Sequence, residues 1–385
     1  MLGEFSPFIM ISVMYYFDYS ANYPVLDEVL SEFVNVEKEA RGNANSIHEE
    51  GKRAYRLYLE ANKKIFSLLH LDQNNYEIIY TSSATESNNL AIKGVYRSYH
   101  GKGNKMLASE FEHSSTNAAL GSLVDEGAIV NLVNSTAHGK IDLDDLKKKL
   151  TDDTILTCLS YVEGELGTIQ PVGETQQIVN ENSHSLLLVD ATQAIGKIPV
   201  NLSSFDMVSF APHKFGGIVG TGVLIKKKSI VLSPLFHGGS SISIYRSGTP
   251  AVGLIASISK ALEVALINQK ENYEKTKELQ SLFLSLIREE KGILVNSFLD
   301  NPFIINLSIP SVPGMKMVSL LNQKGFAISQ KSACSIPNTP SKVINCVYHD
   351  RKRASTSFRI SLCSLVKKEE IVALANAIKE IIHGK

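Results

Sequence analysis

Lys214 has a setting that a surface charge does not explain. It follows the apolar run MVSFA (207–211), with Pro212 and His213 between, and the glycine-rich stretch FGGIVGTG comes directly after it. Most lysines are solvated surface charges. An amine set beside a buried strand, where glycines permit close backbone approach, can have its pKa lowered and form a Schiff base with an aldehyde. Asp190 closes a second apolar run, SLLLVD (185–190). In parallel sheets the carboxyl ends of strands are where ligands bind, and a partly desolvated carboxylate there needs a cationic or proton-donating partner. The plainer role for an isolated Asp in this position is to cap the following ATQAIG segment. As a pair, Lys214 and Asp190 supply what pyridoxal phosphate requires, an imine anchor and a partner for the ring nitrogen.

Such a ligand also needs a phosphate site. TSSATESNNLAIKG (81–94) runs from a strand into small hydroxyl residues that open a helix, and backbone N–H groups at a helix start bind anions. Ala84 and Thr85 stand at that opening, Thr85 with a hydroxyl to add; simple N-capping by Ser82 or Ser83 is the structural alternative. His113, in FEHSS (111–115), opens the next strand-to-helix connection, where an imidazole can stack on a ring or move a proton. That context sets it apart from His70, His100, His138 and His383. Further along lie RSGT (246–249), SACS (332–335) and SFRISL (357–362). Arg359 alternates with apolar residues, and a guanidinium held on a strand suits a bidentate grip on a substrate carboxylate; an edge-strand surface arginine is the bland reading. Of Cys158, Cys334, Cys346 and Cys363, the first and last are expected in apolar strands and Cys346 in a mixed segment. Only Cys334, among small residues at the head of the proline-bearing loop SIPNTPSK (335–342), reads as an accessible nucleophile.

The elements that must position these residues are legible as a pattern. The short apolar runs EIIYT (77–81), KMLAS (105–109), IVNLV (129–133), TILTCLSYV (154–162), SLLLVD, MVSFA and GVLIK (222–226) alternate with helical stretches such as LDDLKKKL and ETQQIVNEN. This predicts an α/β fold with a large, mainly parallel sheet covered by helices. Apolar spacing from Ala251 to Gly292 predicts one long helix or two in tandem. After it come FIINLSI, MKMVSLLNQKG, FAISQ, SFRISL and a final helix through IVALANAIKEII, the pattern of a smaller α+β domain. The expected division is 26–268 for the large domain and 14–25 with 269–385 for the small one, which carries the Cys334 loop. Residues 1–13 are set aside as a leader of uncertain origin.

Composition narrows the class. Lys plus Arg and Asp plus Glu balance at 39 each over 385 residues, so no bulk field exists to hold nucleic acid or a membrane surface. No apolar run approaches the ~20 residues of a spanning helix, the start lacks a secretory pattern, and four cysteines without CxxC spacing read as reduced thiols. A cytoplasmic location is expected, with no metal site.

Taken in order, YFDYSANYPV, GNANSIHEEG, TSSATESNNLAIKG, SEFEHSS, ELGTIQP, VDATQAIGKIPV, SFAPHK, RSGT, SACS and SFRISL resemble the cysteine desulfurases, a branch of the class V aminotransferase-like family of fold-type I pyridoxal-phosphate enzymes. The resemblance runs from Tyr16 to about Ile382. It implies Lys214 as the Schiff-base lysine, Asp190 on the ring nitrogen, Gln193 near the phenolic oxygen and His113 stacked on the ring. It also implies Thr85 and His213 on the phosphate, Thr249 reaching the phosphate of the other subunit of a homodimer, and Arg359 on the carboxylate of L-cysteine. Cys334, on a loop resembling the longer, mobile form, would take the substrate sulfur as a persulfide, release alanine and pass sulfur to an acceptor. An iron–sulfur scaffold, a tRNA-thiolation enzyme or another thiol carrier all remain open as that acceptor.

Two positions depart from the family pattern. Gly164 stands where the family usually has Asn, and Ala211 where it has a hydroxyl that binds phosphate, a contact of about 1–3 kcal/mol. An aminotransferase or another lyase of the same fold would share Lys214 and Asp190 without using Cys334. A degenerate dimeric scaffold that binds sulfur-transfer partners is the third reading, with Gly164 and Ala211 as its support.

Overall fold

The computed structural model describes residues 14–181, 185–239, 241–331 and 339–384. The chain opens with β1 (Tyr15–Tyr16), α1 (Asp27–Glu39) and α2 (Glu49–Leu68). A strand-and-helix series follows: β2 (Tyr76–Thr81), α3 (Ala84–Tyr99), β3 (Lys105–Ser109), α4 (Ser114–Val124), β4 (Ile129–Val133), α5 (Leu143–Lys149), β5 (Thr154–Ser160), α6 (Val172–Glu181), β6 (Leu186–Asp190), β7 (Met207–Phe210) and β8 (Gly222–Lys227). Two helices in tandem, α7 (Val252–Ile267) and α8 (Gln269–Ile287), bend by 62° at Asn268. The remainder is β9 (Leu294–Val295), β10 (Ile304–Ser308), α9 (Gly314–Gln323), β11 (Phe326–Ala327), α10 (Lys342–Tyr348), α11 (Arg351–Ser355), β12 (Ser357–Ser361) and α12 (Lys368–Ile382).

The seven apolar runs form one sheet in the order β2-β8-β7-β6-β5-β3-β4. Pairing is parallel from β7 across to β4, while β8 runs antiparallel to both β7 and β2. The predicted mainly parallel sheet is therefore present. Strand alternation divides the core into two layers. Met106, Ala108, Leu156, Cys158 and Leu188 face a cluster shared with Leu90, Val95 and Leu120 of α3 and α4. Leu107, Leu159, Leu187 and Val189 face the opposite cluster, with Ile65 of α2, Val179 of α6 and Leu262 of α7. β5 is buried along its whole length, which is what a strand covered on both faces requires.

The second half builds a three-stranded antiparallel sheet, β12-β10-β9, whose core joins Phe358 and Ile360 to Phe283 of α8, Met317 of α9 and Leu374 of α12. The N-terminal strand belongs to this part of the molecule: β1 pairs with β11, and the backbone N–H of Ser361 donates to Phe17 O at 2.8 Å. Among the described residues no single helix is long and apolar enough to cross a membrane.

Two glycines position the chain around Lys214. Gly216 adopts φ +97°, a conformation strained for any residue with a side chain. Gly222, the first residue of β8, lies so close to the backbone of Ser83 that a Cβ would collide with its carbonyl group. Ser83 caps α3, accepting from Glu86 N at 3.2 Å. We expect Gly222→Ala to displace this turn and to cost about 1–3 kcal/mol of stability, read as a lower thermal unfolding midpoint. Gly121→Ala, in α4 with nothing within 4 Å of the added carbon, should leave the midpoint unchanged or raise it. Equal effects of the two substitutions would contradict the packing argument.

Candidate active site

All the strands that feed the site end at the same edge of the large sheet. β2 leads to the N-terminus of α3, β3 to His113, β5 to Ser160 and the 162–165 turn, β6 to Asp190, and β7 through Pro212 to His213 and Lys214. Their side chains line one cavity of about 290 Å³. Ala84, Thr85, His113, Asp190, Gln193, His213, Lys214 and Arg359 all stand on its wall, as do Gly164 and Ala211.

The Lys214 amine donates to the backbone carbonyls of Ser20 and Ala21, at 2.9 and 2.7 Å. Asp190 is buried and accepts from Asn88 Nδ2 at 2.9 Å and from Thr192 N at 3.0 Å. The expected alternative, a cap for ATQAIG, is thus partly real: one oxygen holds the turn after β6 and the other is held by Asn88. Asn88 is itself fixed, since its oxygen accepts from Ser209 Oγ at 2.5 Å and its nitrogen also donates to Ser115 Oγ at 3.0 Å. His113 caps α4, its Nδ1 accepting from Ser115 N at 3.2 Å. Burial pushes its pKa down, with Lys214 and Arg359 adding to the effect against Asp190. His213 is lowered to about 4, by burial first and then by Lys214 and Lys197, so both imidazoles are neutral near pH 7.

Arg359 is no surface residue. Although β12 is an edge strand, the side chain is 3 % exposed, with Nη2 donating to Asp18 Oδ1 at 2.9 Å and Nη1 to Gly164 O at 2.8 Å. Four buried polar atoms of residues on the cavity wall have no hydrogen-bond partner among the described residues: Ser20 Oγ, Thr192 Oγ1, His213 Nδ1 and Arg359 Nε. A buried orphan costs about 1–3 kcal/mol, so the residues of this wall carry polar atoms that the fold itself does not satisfy. The donor set fits an anionic, ring-bearing aldehyde: an amine, a carboxylate, a neutral imidazole, and the start of α3 with its free backbone N–H groups.

Thr249 lies elsewhere, in a separate cavity of about 140 Å³ with Thr81, Ser82 and Arg246. Cys334 falls outside the described residues. On either side of that segment, Lys331 Nζ donates to Thr339 O at 2.8 Å, and Ser341 Oγ donates to Glu165 at 2.6 Å. Of the other cysteines, Cys158 lies in β5 as expected. Cys363 lies beyond the end of β12 rather than in a strand, because pairing stops at Ser361; it is buried against the Tyr19 and Tyr23 hydroxyls and pushed up to about 11, chiefly by burial. Both are inert thiols.

An aminotransferase class-V family model matches residues 15–374. The chain belongs to this family. Relatives include the cysteine desulfurase IscS of Dictyoglomus turgidum, 34 % identical over 96 % of this chain and 94 % of its own length. The cysteine desulfurase IscS of Buchnera aphidicola is 35 % identical over 96 % of this chain and 92 % of its own. A solved NifS-like protein superposes with a TM-score of 0.90 at 30 % identity, covering 97 % of this chain and all of that one. The fold is accordingly that of the fold-type I pyridoxal-phosphate enzymes.

Within this class-V frame the geometry adds residues that sequence reading passed over. Asp18 neutralises Arg359 from 341 positions away, and YFDYSA carries no local sign of it. Asn88 sits inside TESNN, a motif read only for its helix start. Glu112, next to His113, is buried and accepts from Ser109 Oγ, Ser160 N and Ser160 Oγ. Burial pushes its pKa up to about 7 against those hydrogen bonds. Glu163 closes its own turn by accepting from Glu165 N and Leu166 N.

Asp18→Asn leaves a buried guanidinium without its counter-charge, which should cost about 3–5 kcal/mol. The paired change Asp18→Asn with Arg359→Met should recover part of that loss. Thermal unfolding of the three proteins checks the claim, and a single Asp18→Asn that melts like the parent would refute it.

Proposed function

We propose that this chain is a cysteine desulfurase: it converts L-cysteine to L-alanine with pyridoxal phosphate and moves the sulfur onto Cys334 as a persulfide, for delivery to an acceptor protein. The carrying observation is the convergence of the Lys214 amine, the Asp190 carboxylate, the Arg359 guanidinium and the start of α3 on one cavity. The named activity of the relatives at 34 % and 35 % identity supports the same reading.

When bound, the cofactor supplies an aldehyde for the lysine and a ring that accepts electrons; the protein does the rest. Lys214, held between two carbonyls, is the covalent anchor and can carry a proton at Nζ. Asp190, oriented by Asn88 and Thr192 N, would hold the ring nitrogen. Ala84 and Thr85 receive the phosphate at the start of α3, with His213 on the same cavity wall. His113, neutral, can accept a proton or pass one on. Arg359, on the cavity wall, takes the cysteine carboxylate. In the net reaction the carbon–sulfur bond of cysteine breaks, a sulfur–sulfur bond forms at Cys334, and the β-carbon takes a proton to become the methyl of alanine. Thr249 serves the phosphate of a partner subunit in a homodimer, and the protein works in the cytoplasm.

The protein as purified should absorb in the visible region and yield alanine from cysteine. Cys334→Ser should keep the visible band but lose alanine and persulfide formation, whereas Cys158, Cys346 and Cys363 substitutions should change neither. Lys214→Ala should abolish the borohydride-reducible cofactor linkage; its survival would sink the assignment of the anchor, as alanine formed at the normal rate by Cys334→Ser would sink the sulfur route.

The shared-site reading makes a separate prediction. Thr249→Ala should weaken cofactor retention about tenfold or more, the loss of one charge-assisted hydrogen bond, with the dimer intact by native mass. A fully active monomer would contradict it.

A further inference from the structure

Lys197 is 7 % exposed, and the ionisable groups that act on it are Lys214, Arg359 and the Cys363 thiol. A buried ammonium is costly unless it is paired, and this one is met by a neutral amide: Lys197 Nζ donates to Gln193 Oε1 at 2.7 Å. Burial, then Lys214 and Arg359, push its pKa down to about 7. It lines a second cavity of about 180 Å³ behind Lys214, with Tyr19, Tyr23 and Cys363, and is absent from the wall of the main one. Lys197 therefore does not touch a ligand in the main cavity.

Gln193 bridges the two spaces. Its Nε2 donates to Ser20 O at 2.9 Å, the same carbonyl that receives the Lys214 amine, and its side chain lines the main cavity. A carboxamide has two nearly isosteric ends, one accepting and one donating, and only its partners decide which end faces where. An ammonium can only donate, and a neutral amine set against an oxygen donates as well, so Lys197 claims the oxygen. Ser20 O can only accept, so it claims one N–H and leaves the second free.

We propose that Lys197 is a positioning residue that fixes the Gln193 amide, so that Gln193 presents an N–H and never its carbonyl oxygen to the cavity beside Lys214. This rests on the reading of that cavity as a pyridoxal-phosphate site. The cost of the buried lysine is then repaid in the orientation of one hydrogen-bond donor next to the reacting centre.

The test is the pH titration of the visible band of the holoenzyme, without turnover, in the parent, Q193A, K197M and the double variant. A donor aimed at the cofactor beside its lysine linkage favours the deprotonated form there, so K197M should raise the titration midpoint by about one unit. In the Q193A background K197M should shift the midpoint much less than in the parent, because only the through-space charge of Lys197 on Lys214 is then left, and K197R should restore the parent midpoint. Methionine keeps the length of the side chain while removing a buried charge, a change that folds well in other cores; K197A is the second variant. An unchanged midpoint in K197M, or the same shift with and without Gln193, would overturn the proposal, the latter making Lys197 a remote charge. A parent protein that takes up no cofactor and shows no visible band would instead overturn the functional reading beneath it.

Discussion

The guanidinium of Arg359 ties together three parts of the chain at one buried point. It springs from β12 of the smaller sheet, reaches Gly164 at the mouth of the large sheet and pairs with Asp18 of the N-terminal segment. That segment in turn supplies the Ser20 and Ala21 carbonyls that hold Lys214. A buried ion pair is weak evidence for net stability, yet it is intolerant of error, because either partner alone is an uncompensated charge. The position of Lys214 is thus referenced to β12 through Asp18, and the two halves of the molecule are in register at the place where the cavity lies.

The sheet was legible because each of its strands is a short apolar run bounded by turn residues, and such runs declare themselves without knowledge of their neighbours. Their order was not legible. Nothing in GVLIK announces that β8 inserts antiparallel between β2 and β7, since a strand buried on both faces reads the same in either direction. The tandem helices after Ala251 were visible from spacing, but the 62° bend between them follows from packing against different cores.

For the site, the legible residues were those set in a local pattern: a lysine before glycines, a carboxylate ending a strand, hydroxyls opening a helix. The illegible ones act across sequence distance. Asp18 belongs to Arg359 over 341 positions, and Asn88 to Asp190 over 102. Lys197 looked like one more surface lysine in VDATQAIGKIPV, and only burial sets it apart. Cys363 was expected in a strand because SFRISL continues apolar up to it, whereas pairing ends two residues earlier. The family resemblance carried roles such as that of Thr249 which no pattern within a single chain would assign.

Ala84 and Thr85 open α3, and Asn88, which grips Asp190, stands one turn further along the same helix. At 1.5 Å per residue the helix advances roughly 4.5–6 Å between them. The gap between an anion at its first N–H groups and the carboxylate at its flank is therefore set by a rigid rod and not by two independent loops. Ser209 and Ser115 clamp the Asn88 amide from either side, so the rod cannot slip against the sheet. α3 is a caliper built into the main chain: it fixes the distance between its own first N–H groups and the carboxylate held at its flank.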